Sequence, residues 1–105
     1  MSPEYIFTDS QATEWRKSTI AEGVQVKDLG TVDGQAMQLV RFAPGTKFPS
    51  HLHEGPEFVF MLEGEAFQNE QRLGPGWASA AESGTFDDNF HSPNGCTFVT
   101  VYPAN

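Results

Sequence analysis

The chain has 105 residues, with 14 acidic and 6 basic side chains and a formal net charge of −8 at pH 7. That balance is repelled by phosphate backbones and by anionic lipid surfaces, so no nucleic acid and no membrane is expected as a partner. No apolar run approaches the roughly 20 residues that span a bilayer. A chain of this size is expected to form one domain over residues 1–105, burying about 65% of the surface its unfolded form exposes. The N-terminus is acidic and lacks the basic-then-apolar layout of a secretory signal. The single cysteine, Cys96, excludes an internal disulfide and agrees with a reducing compartment. The expected location is cytoplasmic.

In chain order, residues 9–20 hint at a helix, with Ser10 as a possible cap and Trp15 as its one large apolar side chain. After it come short runs rich in β-branched and aromatic residues at 24–29, 36–42, 58–62, 65–68 and 96–102, which read as strands. Turn signals separate them: Asp33-Gly34, Pro44-Gly45, Glu63-Gly64, Gly74-Pro75-Gly76 and Pro93-Asn94-Gly95. Many short strands at regular spacing indicate an all-β barrel or sandwich. The run at 58–62 is apolar on both faces, and Glu57 shares the parity of Val59 and Met61. That parity sets a carboxylate against an apolar wall, the usual make-up of a small-molecule pocket.

The chemistry is concentrated between Gly45 and Gly64. Two of the chain's three histidines, His51 and His53, stand one residue apart there, and Glu57 follows after a turn at Glu54-Gly55-Pro56. In an extended strand, side chains at i and i+2 leave on the same face, so the two imidazoles point together. Imidazole with carboxylate suits iron, zinc, nickel, manganese or copper. The same residues without metal could serve as general acid or base. Cys96 opens an apolar strand with no basic neighbour to activate its thiol, which favours core packing over nucleophilic chemistry. Gln38 and Arg41 lie on opposite faces of one strand, and either could reach the site to orient a substrate.

The segment from Gly45 through His51, His53 and Glu57 to Gly64 resembles the first conserved motif of the cupins. Trp15, the run from Gly23 to Leu29, Ala43-Pro44-Gly45, Leu62-Glu63-Gly64 and Gly95-Cys96 are similar to one branch of them. That branch holds the cupin domains of zinc-binding anti-sigma factors and dioxygenases that cleave β-diketones such as acetylacetone. The resemblance implies a small cupin β-barrel, a jelly roll or double-stranded β-helix, preceded by a short N-terminal segment. It also implies one divalent ion per chain (iron, zinc, manganese or nickel) in the barrel mouth, held by His51, His53, Glu57 and a fourth residue.

The second motif, over residues 74–95, departs from the family pattern, with Glu82 standing where a proline is usual. Counting on from Gly76 and Gly84 places the fourth ligand at Asp87; counting back from Gly95-Cys96 places it at Asp88. His91 is the third choice, preferred because histidine is scarce here, and an open position filled by water or substrate is the last.

The implied activity is that of a metal cupin acting on a small oxygen-rich organic molecule, with His51, His53 and Glu57 as catalytic residues. Dioxygenase chemistry leads, with Lewis-acid isomerisation or dehydration next. A non-enzymatic sensor or binding module and a metal-free acid/base cupin are the alternatives. Family habit and nine phenylalanines imply a homodimer with apolar surface beyond one small core.

Overall fold

Strand formation follows the β-branched and aromatic runs. The computed structural model of the protein describes residues 3–104, and the outermost ends of the domain expected over 1–105 lie outside them. In order, the strands are β1 (Arg16–Lys17), β2 (Val24–Val32), β3 (Gln35–Phe42), β4 (Thr46–Phe48), β5 (His51–Leu52), β6 (Glu57–Gly64), β7 (Ala66–Gln68), β8 (Gln71–Leu73), β9 (Ala78–Ala81), β10 (Phe86–Asp87), β11 (Phe90–Ser92) and β12 (Cys96–Pro103). They form a six-stranded sheet β1-β2-β3-β12-β6-β9, a four-stranded sheet β4-β11-β7-β8 and a two-stranded ribbon β10-β5. All pairings are antiparallel. The expected all-β architecture is therefore the observed one.

The β2–β3 hairpin turns on Asp33 and Gly34, both at positive φ (50° and 78°). That is the two-residue turn whose twist matches the strands it joins, and it fixes the register Val32↔Gln35. Period-two burial then sorts the side chains. Val24 and Val26, Val40 and Phe42, Val59 and Met61, and Cys96 and Phe98 point inward from four adjacent strands. Cys96 is buried as the core reading expects, and its burial pushes the thiol up from its ordinary range.

Phenylalanines carry the contact between the sheets. Phe42 packs on Phe98 at 5.2 Å between ring centroids, edge to face, and on Phe90 of β11 at 5.2 Å; Phe90 and Phe98 are 5.4 Å apart. Each buried ring contributes about 1.5–3 kcal/mol, with roughly 0.5–1.5 kcal/mol more per well-oriented pair. Phe48 of β4 stacks on Phe42 and lies edge-on to His51 at 5.4 Å, joining the core to the histidine ribbon.

The helix expected over 9–20 does not form. Asp9 makes a single turn, accepting the Gln11 amide on Oδ1 (2.9 Å) and the Ala12 amide on its carbonyl (3.1 Å). Arg16 and Lys17 then pair with Val26 and Gln25 as an edge strand. One tryptophan gives a helix no apolar face to bury. Trp15 instead packs on the sheet's outer face, its ring centre 4.9 Å from Lys27 Nζ and 4.2 Å from the Arg41 guanidinium. Among the described residues no helix is long and apolar enough to cross a membrane.

The two glycines bounding the motif are needed for different reasons. Both have positive φ, +84° at Gly45 and +74° at Gly64. A Cβ at Gly45 would meet nothing within 4 Å, whereas one at Gly64 would collide with the Gly95 carbonyl oxygen and lie 2.8 Å from Cys96 Cα. Gly45→Ala should therefore lose about 1–2 kcal/mol, the backbone term alone. Gly64→Ala should lose at least twice as much or fail to fold. Urea denaturation of the two variants checks this, and equal losses would contradict it.

Candidate metal centre

The ribbon positions the site. β5 pairs with β10 in the register Asp87↔His51 and Phe86↔Leu52. Backbone bonds continue the pairing past the strand ends, from the His53 amide to the Thr85 carbonyl (2.9 Å) and from the Gly84 amide to the His53 carbonyl (2.8 Å). Strand alternation then sends His51, His53 and Asp87 to one face and leaves Leu52 and Phe86 exposed on the other. One ligand-type atom from each of His51, His53 and Asp87 lies within 4.8 Å of the others. The imidazole rings are 4.8 Å apart, edge to face.

Hydrogen bonding assigns the tautomers. The His51 Nδ1 is 3.1 Å from the Pro49 carbonyl, which can only accept, so Nδ1 carries the proton and Nε2 keeps a lone pair. His53 Nδ1 is 2.9 Å from the Thr85 hydroxyl, whose own proton goes to the Glu82 carbonyl (2.8 Å). Thr85 must therefore accept from Nδ1–H, which again frees Nε2. On Asp87, Oδ2 accepts from the Gln68 amide at 3.2 Å. Asp87 Oδ1 and His53 Nε2 are buried with no hydrogen-bond partner among the described residues. Leaving such a group unpaired costs about 1–3 kcal/mol each. Two imidazole lone pairs and a carboxylate oxygen, each braced from behind, form the donor set that a divalent transition metal takes. The residues fit the ion.

Glu57 stands beside this group, its Oε1 3.5 Å from His53 Nε2 and its side chain mostly buried. Burial raises its pKa, and the His53 and His51 rings act in the opposite direction. Of the residues proposed for the fourth position, the ribbon brings in Asp87. Asp88 is exposed, its carbonyl accepting from Ser50 at 3.3 Å. His91 pairs with Lys47 and Phe67 on β11, between the inward-facing Phe90 and Ser92, and stacks on the Phe67 ring at 5.4 Å; it does not join the group.

The inner face of the large sheet changes character towards the site. One cross-strand row is apolar: Val26, Val40, Phe98 and Met61. The next row is Asp28, Gln38, Thr100 and Val59. Beyond it, Tyr102 opposes Ala36 on one strand pair and Glu57 opposes Ala81 on another. Gln38, but not Arg41, is thus on the inner face. Arg41 is committed to the outer face, where it donates to Gln25 at 2.7 and 3.1 Å. Asp28 is held below the usual carboxylate range by Arg16 and by the Gln38 amide, so Gln38 must turn its NH2 towards Asp28 (2.8 Å). Thr85, Gln68 and Asp28 escape sequence reasoning because their partners are distant in the chain; Thr85 is 32 residues from His53.

The model of the ChrR cupin-like domain matches residues 3–103. Among curated proteins none matches. Among solved structures, a Methylibium petroleiphilum protein provisionally assigned as an acetylacetone dioxygenase superposes with a TM-score of 0.90 at 14% identity, over 98% of this chain and 79% of that one. An RmlC-like cupin from Shewanella frigidimarina gives 0.83 at 19% identity, over 100% of this chain and 96% of that one. The anti-sigma factor ChrR of Rhodobacter sphaeroides, solved in complex with SigE, gives 0.75 at 22% identity; the match covers 88% of this chain and 49% of that one. At these identities the superpositions carry the fold alone, whereas the family match covers nearly the whole sequence, and the chain belongs to the cupins, in the family described by the ChrR cupin-like domain.

Proposed function

We propose that the protein is a mononuclear divalent-metal cupin acting on a small oxygen-rich organic molecule as a dioxygenase, with isomerase or dehydratase chemistry as the neighbouring possibility. The observation that carries this reading is the cluster of three braced ligand-type atoms on His51, His53 and Asp87, of which His53 Nε2 and Asp87 Oδ1 are buried without a hydrogen-bond partner. These residues would hold the ion, with the Glu57 carboxylate beside them. A bound divalent ion supplies Lewis acidity there, and iron also supplies the means to use dioxygen. The chain's own contribution is positioning. The Pro49 carbonyl and Thr85 hydroxyl hold the imidazoles in one tautomer, and Gln68 orients Asp87. The buried apolar side chains of Val59 and Met61 back the site, while the Tyr102 hydroxyl and the side-chain carbonyl of Gln38, whose NH2 is taken by Asp28, offer hydrogen-bonding groups to an oxygenated substrate. A buried free Cys96 fits a reducing, cytoplasmic setting, and the working unit is read as a homodimer.

A second reading, a non-catalytic metal- or ligand-binding module, is favoured by the match to the ChrR cupin-like family. Turnover separates the two. Elemental analysis of the purified chain should find close to one equivalent of metal. The iron-loaded form should consume oxygen with acetylacetone or a catechol, and His51→Ala and His53→Ala should each lower metal content and rate at least about tenfold. Metal and activity retained in both variants would contradict the metal mechanism; stoichiometric metal without turnover on any such substrate would favour the binding module.

The supporting residues make a second, independent prediction. Thr85→Val removes the acceptor for His53 Nδ1–H while leaving every ligand in place, and should weaken metal affinity about 10–100-fold. Competition against a chromophoric chelator at fixed pH measures it. Unchanged affinity would mean that the Thr85 hydroxyl does not brace the ring.

A further inference from the structure

The outer face of the six-stranded sheet carries apolar side chains that remain exposed among the described residues. Two cross-strand rows run across it, Phe58–Val101–Met37 and Phe60–Val99–Leu39. Phe58, Phe60 and Met37 are 50%, 47% and 45% exposed. Beside the two phenylalanines lies the edge strand β9, whose outward residues Ala78 and Ala80 pair with Phe60 and Phe58. The small side chains leave a shallow groove of about 280 Å³ along that edge, walled by the phenyl rings. The next row is polar, with Thr97 opposite Glu63 and Arg41, and towards β2 the face closes under Trp15. An apolar centre inside a polar rim is the anatomy of a protein–protein interface.

We infer that this face is where two copies of the chain meet, the Phe58–Phe60 ridge of each seated in the Ala78–Ala80 groove of the other. The inference rests on the homodimer reading above and names its surface. Two observations favour a second copy as the occupant. A chain with a net charge of −8 repels its own kind, and these two rows carry no acidic side chain; the second ends on β2 at Lys27, whose ammonium lies over Trp15, so like copies can approach through the rows without opposing carboxylates. A basic partner would instead seek carboxylates, which these two rows lack; the Glu63 carboxylate stands in the polar row beside them. Ridge and groove also lie side by side on the same surface, the self-complementary arrangement that a twofold axis requires. The extended segment at Tyr5, Ile6 and Phe7 is itself 85%, 60% and 85% exposed, so in the single chain it does not shield the face.

Sedimentation velocity on the full chain, across a wide range of concentration, tests both levels. The wild type should sediment at twice the 11.6 kDa chain mass. Phe60→Glu and Phe58→Glu should give the single-chain mass with unchanged circular dichroism and denaturation midpoint, since neither ring belongs to the core. Ile20→Glu, exposed and off this face, should remain dimeric. A dimer that persists in both phenylalanine variants would overturn the assigned surface and leave the homodimer intact. A wild type that is monomeric throughout, including one whose N-terminal segment folds onto its own sheet, would overturn both.

Discussion

The packing of Phe42, Phe90 and Phe98 is the contact on which the rest of the molecule depends. Two of these rings come from the large sheet and one from the small sheet, so their mutual contact sets the spacing of the layers. Phe48 extends the cluster to the edge of His51. The ribbon that carries the histidines has two residues in each strand and cannot define its own position. It is tied to the aromatic core through Phe48 against His51 and to the start of β6 through Glu57, whose Oε1 is 3.5 Å from His53 Nε2.

On this frame the site departs from the rule that buried polar atoms are paired. Behind each ligand the pairing is complete: a carbonyl, a hydroxyl and an amide take up the far side of His51, His53 and Asp87. In front, His53 Nε2 and Asp87 Oδ1 remain unpaired. The asymmetry has a simple physical meaning. The fold bears the cost of burying two unpaired donor atoms, on His53 and Asp87, and of fixing their direction beside His51, a cost that a bound cation would recover. The sheet opposite follows the same logic, apolar at Val26, Val40 and Met61 where it must pack, and polar at Asp28, Gln38 and Thr100 in the next row towards Glu57.

Much of this was legible in the residues. The five β-branched or aromatic runs all became strands, and Asp33-Gly34 became the hairpin turn its chemistry demands. His51 and His53 share a face by simple alternation, and Glu57 opens the inward face of β6 as its parity requires. What was hidden depends on partners far along the chain. β9 reads Ala-Ser-Ala-Ala, a poor strand former by propensity that is held by its pairing with β6. The choice among Asp87, Asp88 and His91 turned on register, since counting from either flanking glycine gave different answers; the pairing of Asp87 with His51 selects Asp87 as the residue that meets the histidines. The hint of a helix at 9–20 failed because one turn at Asp9 and one tryptophan do not add up to an amphipathic face.

The central claim is that His51, His53 and Asp87 hold one divalent ion through atoms already oriented for it. Crystals of the full chain grown with zinc, measured on both sides of the zinc absorption edge, test it most directly. The account predicts a single anomalous peak bonded to Nε2 of both histidines and to Oδ1 of Asp87, at about 2.0–2.2 Å. A peak bonded to His91 instead, or no peak at this site while the protein remains folded, would contradict it.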